Sequence, residues 1–223
     1  MESEGNPPPP VVEITSGLAP HLSGCSLPHH PQDAFYRADY RVLRIDDQVS
    51  LQTSRVLSAI SRKQGHASDF MQTYFCTLHK SLPIINQDVF RWKLDNHASD
   101  SHFSTLLLSI FLITQLTPKV NPNPSSNFGE QELYPTVKSF YSLLQSTGKV
   151  SMELVQAGVL IACYEHCQGL HQDAWLTIGA CVRMGHLMGL QTFLQKTLPE
   201  ERNERDILET KRRLWWGIVV TER

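Results

Sequence analysis

Apolar side chains recur along most of the chain at the three- and four-residue spacing that is typical of amphipathic helices. Bounded by polar caps, glycines and prolines, this pattern predicts helices at 46–63, 69–80, 101–117, 133–146, 151–168 and 173–189, and a last helix around 207–219. A short helical turn is expected after Asn86 or Gln87. We find no run of alternating polar and apolar residues that would make a sheet. The sequence therefore predicts an all-α fold, an irregular bundle of about seven helices.

Composition divides the chain into three parts. Residues 1–33 are rich in proline and hold few large apolar groups, so they are predicted to be disordered. Residues 34–68 are interpreted as a linker with one helix, and residues 69–223 as the helical domain. Within that domain Asp69 and Ser151 are expected N-caps, and Pro83 and Gly169 are expected to end helices.

The segment 173–190, DAWLTIGACVRMGHLMGL, is apolar nearly all round when it is drawn as a helix. Such a helix is usually packed on several sides, so we expect this one to be central and enclosed. Gly185 and Gly189 lie four apart, and small residues at this spacing let a neighbouring backbone approach closely. Arg183, if buried, needs a carboxylate, and Glu165 or Glu209 on the flanking helices could supply it. On this reasoning Arg183→Ala is expected to destabilise the fold.

Charge and cysteine content limit the classes of function. The 223 residues are 41% hydrophobic and 19% charged, with a formal net charge of −2. This balance produces no global field that would attract nucleic acid or an anionic membrane. The start of the chain lacks the pattern of a secretory signal, and no apolar run has the length of a membrane span. Five cysteines, an odd number, indicate reduced thiols in an intracellular compartment.

Several side chains are candidates for chemistry, and each has a structural alternative. Cys163 and Cys167 lie four apart in CYEHC, with His166 and His171 nearby. They are interpreted either as metal ligands or as small core residues. His186 is either a ligand or base, or a hydrogen-bonded core residue. No nucleophile, phosphate-loop or dinucleotide motif is found in the sequence, so we expect no enzymatic activity, metal or cofactor in this chain.

The segment 211–216, KRRLWW, also allows two interpretations. Its basic residues could contact phosphate, but nearby glutamates cancel their charge, and a solvated face is favoured. Trp215 and Trp216 are adjacent and point about 100° apart on a helix, so one is expected to enter the core and the other to meet a partner or further C-terminal helices.

Taken together, these segments resemble one family. The order of a VQ-containing helix, the 173–190 helix and a closing ExxRRxWW segment resembles the middle regulatory domain of fungal zinc-cluster transcription factors. The matching residues are Val155, Gln156, Trp175, Gly179, Cys181, Arg183, Gly189, Leu190, Glu209, Arg212, Arg213, Leu214, Trp215 and Trp216. Upstream, YFCTLHKSLPIINQDVF resembles the family's entry segment at Tyr74, Phe75, His79, Pro83, Ile84, Ile85 and Phe90.

The resemblance implies a nuclear regulator of transcription whose helical domain modulates activity by protein contacts, dimerisation or small-molecule sensing. Zinc and DNA binding in the family belong to a six-cysteine module, and only Cys25 precedes residue 76 here. We therefore expect no direct DNA binding, zinc or membrane association from this chain. Partners would be the transcription machinery or another regulator, in a homo- or heterodimer.

The family domain continues beyond the WW segment, so the resemblance also implies that 69–223 is incomplete at its C-terminus. We then expect Leu214, Trp215, Ile218 and Val219 to pack against further helices and to leave an apolar patch in this chain. Two alternative functions remain open. One is an interaction or dominant-negative module that pairs with a full-length regulator, and the other is a helical enzyme using His166, His171 or His186.

Overall fold

The computed structural model describes residues 31–64, 67–96, 100–116, 130–194 and 201–223. Most of the predicted disordered segment, 1–30, lies outside these residues. The chain divides into two compact units, Met1–Ala38 and Asp39–Arg223. The start of α1 (Pro31–Gln64) is the part of the first unit that the structure describes, and the other elements belong to the second unit.

Throughout the described ranges the regular elements are helical, which confirms the predicted all-α fold. They are α1 (Pro31–Gln64), α2 (Ala67–Cys76), α3 (Leu78–Ser81), α4 (Gln87–Asn96), α5 (Ser101–Thr114), α6 (Glu130–Ser146), α7 (Met152–Cys167), α8 (His171–Leu187), a 3-10 turn (Leu190–Leu194) and α9 (Arg202–Glu222). Helix α1 begins well before the predicted 46–63, at a proline, a residue that is favoured at the first position of a helix.

The structure confirms the Ser151 cap but corrects two predictions about helix ends, both in the segment 69–80. Ser151 caps α7 as predicted, since its hydroxyl accepts a hydrogen bond from the Leu154 N–H at 3.1 Å. Asp100 caps α5 by accepting from the His102 N–H at 3.0 Å. Asp69 is not an N-cap, because α2 begins at Ala67. The single helix predicted for 69–80 is also wrong, because β-branched Thr77 adopts non-helical angles (φ −115°, ψ −84°) and separates α2 from α3.

Helices α5 and α7 form the centre of the bundle. Every residue of α5 is buried, and so is the run 154–162 of α7. Helix α5 packs against α2, α6 and α7, and α7 in turn packs against α6, α8 and α9. The enclosed helices are therefore the two that carry almost uninterrupted apolar runs.

The last helix is held by this chain's own core. Leu214 and Ile218 are fully buried, and Trp215 packs against the core cluster. The expectation that these residues need further helices for burial is wrong, because α9 packs against α7, α8 and the 3-10 turn. Trp216 and Val220 are the large apolar residues that α9 exposes near its end.

Candidate functional site

Helix α8 has a buried face and an exposed face. Ala174, Thr177, Ile178, Cys181, Met184 and Gly185 are buried. The opposite face presents Trp175 and Leu187, which are 71% and 79% exposed, together with Leu176 and Arg183. The prediction that 173–190 is enclosed on all sides is therefore wrong. Apolar residues all round a helix are compatible with burial but do not require it, since much of any folded surface is apolar.

Neither predicted carboxylate neutralises Arg183. Glu165 is fully buried and forms its ion pair with Lys138, while Glu209 pairs with Arg213 at 2.8 Å. The Arg183 side chain lies at the surface instead, where water can solvate its charge. The predicted internal neutralisation of this arginine is wrong, because an exposed guanidinium needs no buried counter-charge.

The glycines of α8 have different environments. A Cβ added to Gly185 would lie 3.0 Å from Cζ3 of Trp215, so this glycine allows the close approach of α9. Gly189 has φ +65°, in the left-handed region, and lies just past the end of the helix. Its role is to end α8, not to let a neighbouring backbone approach closely. At Gly179 the nearest atom would be Nη1 of Arg183 at 3.6 Å, which is ordinary contact.

A second close approach was missed by the sequence analysis. A Cβ on Gly158 of α7 would lie 2.3 Å from Oη of Tyr141 and 2.5 Å from Sγ of Cys181. The Tyr141 hydroxyl and the Cys181 sulfur are 3.4 Å apart and buried. Burial raises the pKa of the Cys181 thiol to about 12, which makes it an unreactive packing group.

The buried carboxylate of Glu165 joins three helices. It accepts hydrogen bonds from the Tyr134 hydroxyl and the Thr177 hydroxyl, both at 2.7 Å, and from the Lys138 ammonium. Tyr134 and Lys138 lie on α6 and Thr177 on α8, while Glu165 itself lies on α7. In the sequence, this network is visible only as one glutamate, Glu165, in an apolar helix. Arg183 was the predicted partner of Glu165, and the structure shows Lys138 instead.

The candidate metal and catalytic residues do not converge. Sγ of Cys163 faces Oγ1 of Thr221 at 3.7 Å, and the rings of His166 and His171 contact each other at 5.3 Å between centroids. The His186 ring packs edge-on against Trp215. No group of three or more His, Cys, Asp or Glu side chains that could hold a metal is found among the described residues.

The basic residues of the KRRLWW segment are engaged within the chain. The ammonium of Lys211 lies 4.4 Å above the Phe193 ring, and Nε of Arg212 donates to the Phe193 carbonyl at 2.9 Å. Arg213 pairs with Glu209. Lys211 and Arg212 both contact Phe193 and Arg213 contacts Glu209, so each basic side chain already has a contact within the chain.

Several recesses open among the described residues, and two of them have a mainly apolar lining. An open groove of about 550 Å³ lies between the end of α6 and the exposed face of α8. Its lining residues are Ser142, Gln145, Ser146, Gly148, Lys149, Val150, Leu176, Ala180, Arg183, Met184 and Leu187. We call it the α6–α8 groove. It carries two cationic side chains and, in the part of the chain that the structure describes, no carboxylate.

A narrower cavity of about 220 Å³ lies between α4, α5, α7 and α9. We call it the α4–α9 cavity. It is bounded by Ile85, Asn86, Val89, Phe90, Lys93, Phe103, Leu106, Met152, Glu153, Gln156, Ile207, Thr210 and Lys211. Ligand pockets of helical bundles usually lie between helices and have a mostly apolar lining, and this cavity has both properties.

No helix within the described ranges combines the length and the apolarity that are needed to cross a bilayer. A helical bundle of this kind offers recesses between its helices in which a partner or a small ligand can bind. The chain belongs to the family described as the fungal specific transcription factor domain, whose profile matches residues 71–223. The family that the sequence predicted is therefore confirmed.

Curated relatives agree with this family. The chain is 29% identical over 151 residues to the citrinin biosynthesis transcriptional activator mrl3 of Monascus ruber, covering 67% of this chain and 29% of that relative. It is 28% identical over 160 residues to the transcription factor BOA15 of Botryotinia fuckeliana, covering 70% of this chain and 86% of BOA15. It is also 24% identical over 151 residues to the TY1 enhancer activator of Saccharomyces cerevisiae, covering 62% of this chain and 19% of that protein. No solved structure matches the chain significantly.

Proposed function

We propose that this chain is the regulatory domain of a nuclear transcription regulator and that it acts by binding other proteins, not by catalysing a reaction. The family and the relatives named as transcriptional activators support a role in transcription. The match spans 29% of the length of mrl3, so the activity of such a whole protein is part of the proposal.

The observation that carries the proposal is the α6–α8 groove. Leu176, Ala180, Arg183 and Leu187 follow one another at spacings of four, three and four, so they lie along one side of α8. Large apolar residues that remain exposed on one face of a helix, with charge at the edge, are typical of a surface that contacts a partner.

Charge defines the partner that fits this groove. Arg183 and Lys149 are both exposed, but the charge of Lys149 is balanced by its ion pair with Asp46 at 2.6 Å, so Arg183 supplies the net positive charge of the groove. An amphipathic acidic helix complements the groove, since its apolar side chains would cover Leu176 and Leu187 while its carboxylates meet the cations. Acidic segments with interspersed apolar residues are found in transcription activation regions. We therefore propose that the partner is an acidic amphipathic segment of another transcription protein.

Fluorescence anisotropy with two designed peptides tests the assignment. The first peptide alternates acidic and large apolar residues at helical spacing, and the second replaces each acid by lysine. We expect the acidic peptide to bind and the basic peptide not to, and we expect affinity to fall as salt rises because the charges are exposed. Arg183→Glu and Leu187→Ser should each weaken binding about tenfold or more.

Matched controls lie on other faces of the domain. Arg91→Glu on α4 reverses an exposed arginine, and Leu51→Ser on α1 removes an exposed leucine, outside the groove. Both should leave peptide affinity unchanged. In cells, the chain fused to a heterologous DNA-binding module should regulate a reporter gene. The groove variants should abolish this regulation, and the control variants should preserve it. Equal effects of groove and control variants would contradict the proposal.

We also propose that the DNA contacts of the regulator reside outside this chain. The basic residues near Trp215 are engaged with Phe193 and Glu209, which supports this assignment. A gel-shift assay at moderate salt checks it, and sequence-specific retardation of DNA by this chain would refute it.

A further inference from the structure

The α4–α9 cavity has a buried apolar wall and an apolar mouth. Phe90 and Phe103 pack against each other with 5.2 Å between ring centroids, and together with Leu106 they form its inner side. Val89 of α4 and Ile207 of α9 are about half exposed at its rim. A concave site with an apolar interior and few polar groups is the usual form of a small-molecule pocket.

Three charged side chains border this apolar space. Lys93 of α4 forms an ion pair with Glu153 of α7, and this pair accounts for one positive and one negative charge. Lys211 of α9 is the remaining cation, and it lies over the Phe193 ring instead of pairing with a carboxylate of the described residues. The border therefore carries a net charge of +1, which favours an anionic group on a ligand.

Hydrogen-bonding groups near the cavity are arranged by the surrounding helices. Gln156 donates to the Ile84 carbonyl at 2.7 Å, which fixes its amide in the wall between α7 and the segment before α4. Asn86 Oδ1 caps α4 by accepting from Asp88 N–H at 3.0 Å and from Val89 N–H at 3.1 Å. These hydrogen bonds tie the wall of the cavity on α7 and the start of α4 to the surrounding backbone.

We propose that the α4–α9 cavity binds a small amphipathic carboxylic acid. Its aromatic or branched apolar part occupies the space against Phe90, Phe103 and Met152, and its carboxylate lies at the mouth near Lys211. This inference rests on a different recess from the α6–α8 groove, so the two proposals are independent.

The position of the cavity gives the ligand a regulatory effect. Helix α9 packs against α7, α8 and the 3-10 turn, and the cavity separates the part of α9 that carries Ile207 and Lys211 from α4. A bound acid fills this gap and links α9 to α4 and α5. Ligand binding then stabilises the docked arrangement of α9 relative to arrangements in which α9 opens.

Methyl NMR on the full 223-residue chain, labelled at methionine methyl groups, tests binding at a single site. The probes are 3-phenylpropanoate and its matched neutral and cationic analogues, 3-phenylpropanol and 3-phenylpropylamine. Met152 lines the cavity, while Met71 and Met184 lie elsewhere and act as internal references. We expect a saturable shift of Met152 alone with the acid, at a dissociation constant on the order of 1 mM or tighter.

Two variants and a matched control localise the site. Ile207→Trp fills the mouth and should abolish the Met152 shift, whereas Val220→Trp, at another exposed position of α9, should preserve it. Lys211→Gln should weaken the acid about tenfold and remove its advantage over the alcohol. Circular dichroism of each variant verifies that helix content is unchanged.

The outcomes separate this inference from the proposed function. Absence of a saturable Met152 shift up to about 10 mM acid overturns the inference, as does equal binding of acid, alcohol and amine. Retained binding in Ile207→Trp overturns it as well. None of these results alters peptide binding in the α6–α8 groove, and Arg183→Glu should not alter the Met152 shift.

Discussion

The carboxylate of Glu165 gives the sharpest test of what holds this bundle together. It is fully buried on α7 and is shared by Tyr134, Lys138 and Thr177, so a single side chain connects α6, α7 and α8. Glu165→Gln preserves the volume and part of the hydrogen bonding. It removes the negative charge that Lys138 requires.

The burial of the Glu165–Lys138 pair determines how much free energy of unfolding is lost. Removing one partner of a buried ion pair costs about 3–5 kcal/mol, because the other charge is left without its counter-charge. The Lys138 side chain is 25% exposed, so water partly solvates its ammonium group. The cost therefore lies at the lower end of this range. We therefore expect Glu165→Gln to lower the free energy of unfolding by about 3 kcal/mol. At about 2–4 °C per kcal/mol for a domain of this size, the melting temperature should fall by about 6–12 °C.

Urea unfolding followed by circular dichroism at 222 nm measures this loss, with a double-mutant cycle to isolate the pair. Lys138→Met alone should cost at least as much, since it leaves Glu165 buried without its cation. The double variant should be more stable than the sum of the single losses predicts, by at least about 1.5 kcal/mol.

Glu209→Gln is the matched control, because Glu209 pairs with Arg213 in a partly exposed i, i+4 pair on α9. It should change the free energy of unfolding by about 0.5 kcal/mol or less. If Glu165→Gln and Glu209→Gln have equal effects, or if the losses of the cycle add, the buried network does not hold the three helices together.

Three further predictions use the same unfolding assay. Arg183→Ala should change the free energy of unfolding by about 0.5 kcal/mol or less, because its side chain is exposed; a loss above about 2 kcal/mol would restore the idea of a buried arginine. Gly158→Ala should cost about 1–3 kcal/mol or more, because its Cβ would lie 2.3 Å from Tyr141 Oη, and Tyr141→Phe should recover part of the loss. Burial, and then the charge of Arg213, lower the pKa of the His79 imidazole, so the unfolded chain binds more protons. Stability should therefore fall as pH drops below about 6.5, less steeply in His79→Gln, and an identical pH slope in both proteins would exclude His79 as the cause.

Helix periodicity predicted α6, α7 and α8 well, and local signals mark three of their ends. Ser151 begins α7 with its side-chain cap, and Gly148 and Gly169 have positive φ just past the ends of α6 and α7. Where such a signal was ambiguous the prediction failed. Asp69 looks like an N-cap in the sequence, yet α2 begins before it and ends before Thr77.

Burial was harder to predict because it depends on partners that lie far apart in the sequence. Helices α5 and α8 are both rich in apolar residues, but α5 is buried along its whole length and α8 on one face only. The choice of counter-charge failed for the same reason. Glu165 and Lys138 are 27 residues apart, and nothing in their local sequence distinguishes Lys138 from Arg183 as the partner.

The exposed face of α8 also changes the meaning of the family resemblance. We inferred kinship partly from Trp175 and Arg183 while assuming that both served packing, yet the structure places both at the surface. The kinship stands, because the family profile matches the order of residues over 71–223 and does not depend on burial. In the same helix Gly185 does serve packing, through its contact with Trp215. The resemblance therefore combines two kinds of position, one that docks α8 on α9 and one that faces solvent. Of the exposed positions, Arg183 lines the α6–α8 groove and has no packing role in the core, and this is the physical reason to look for the partner there.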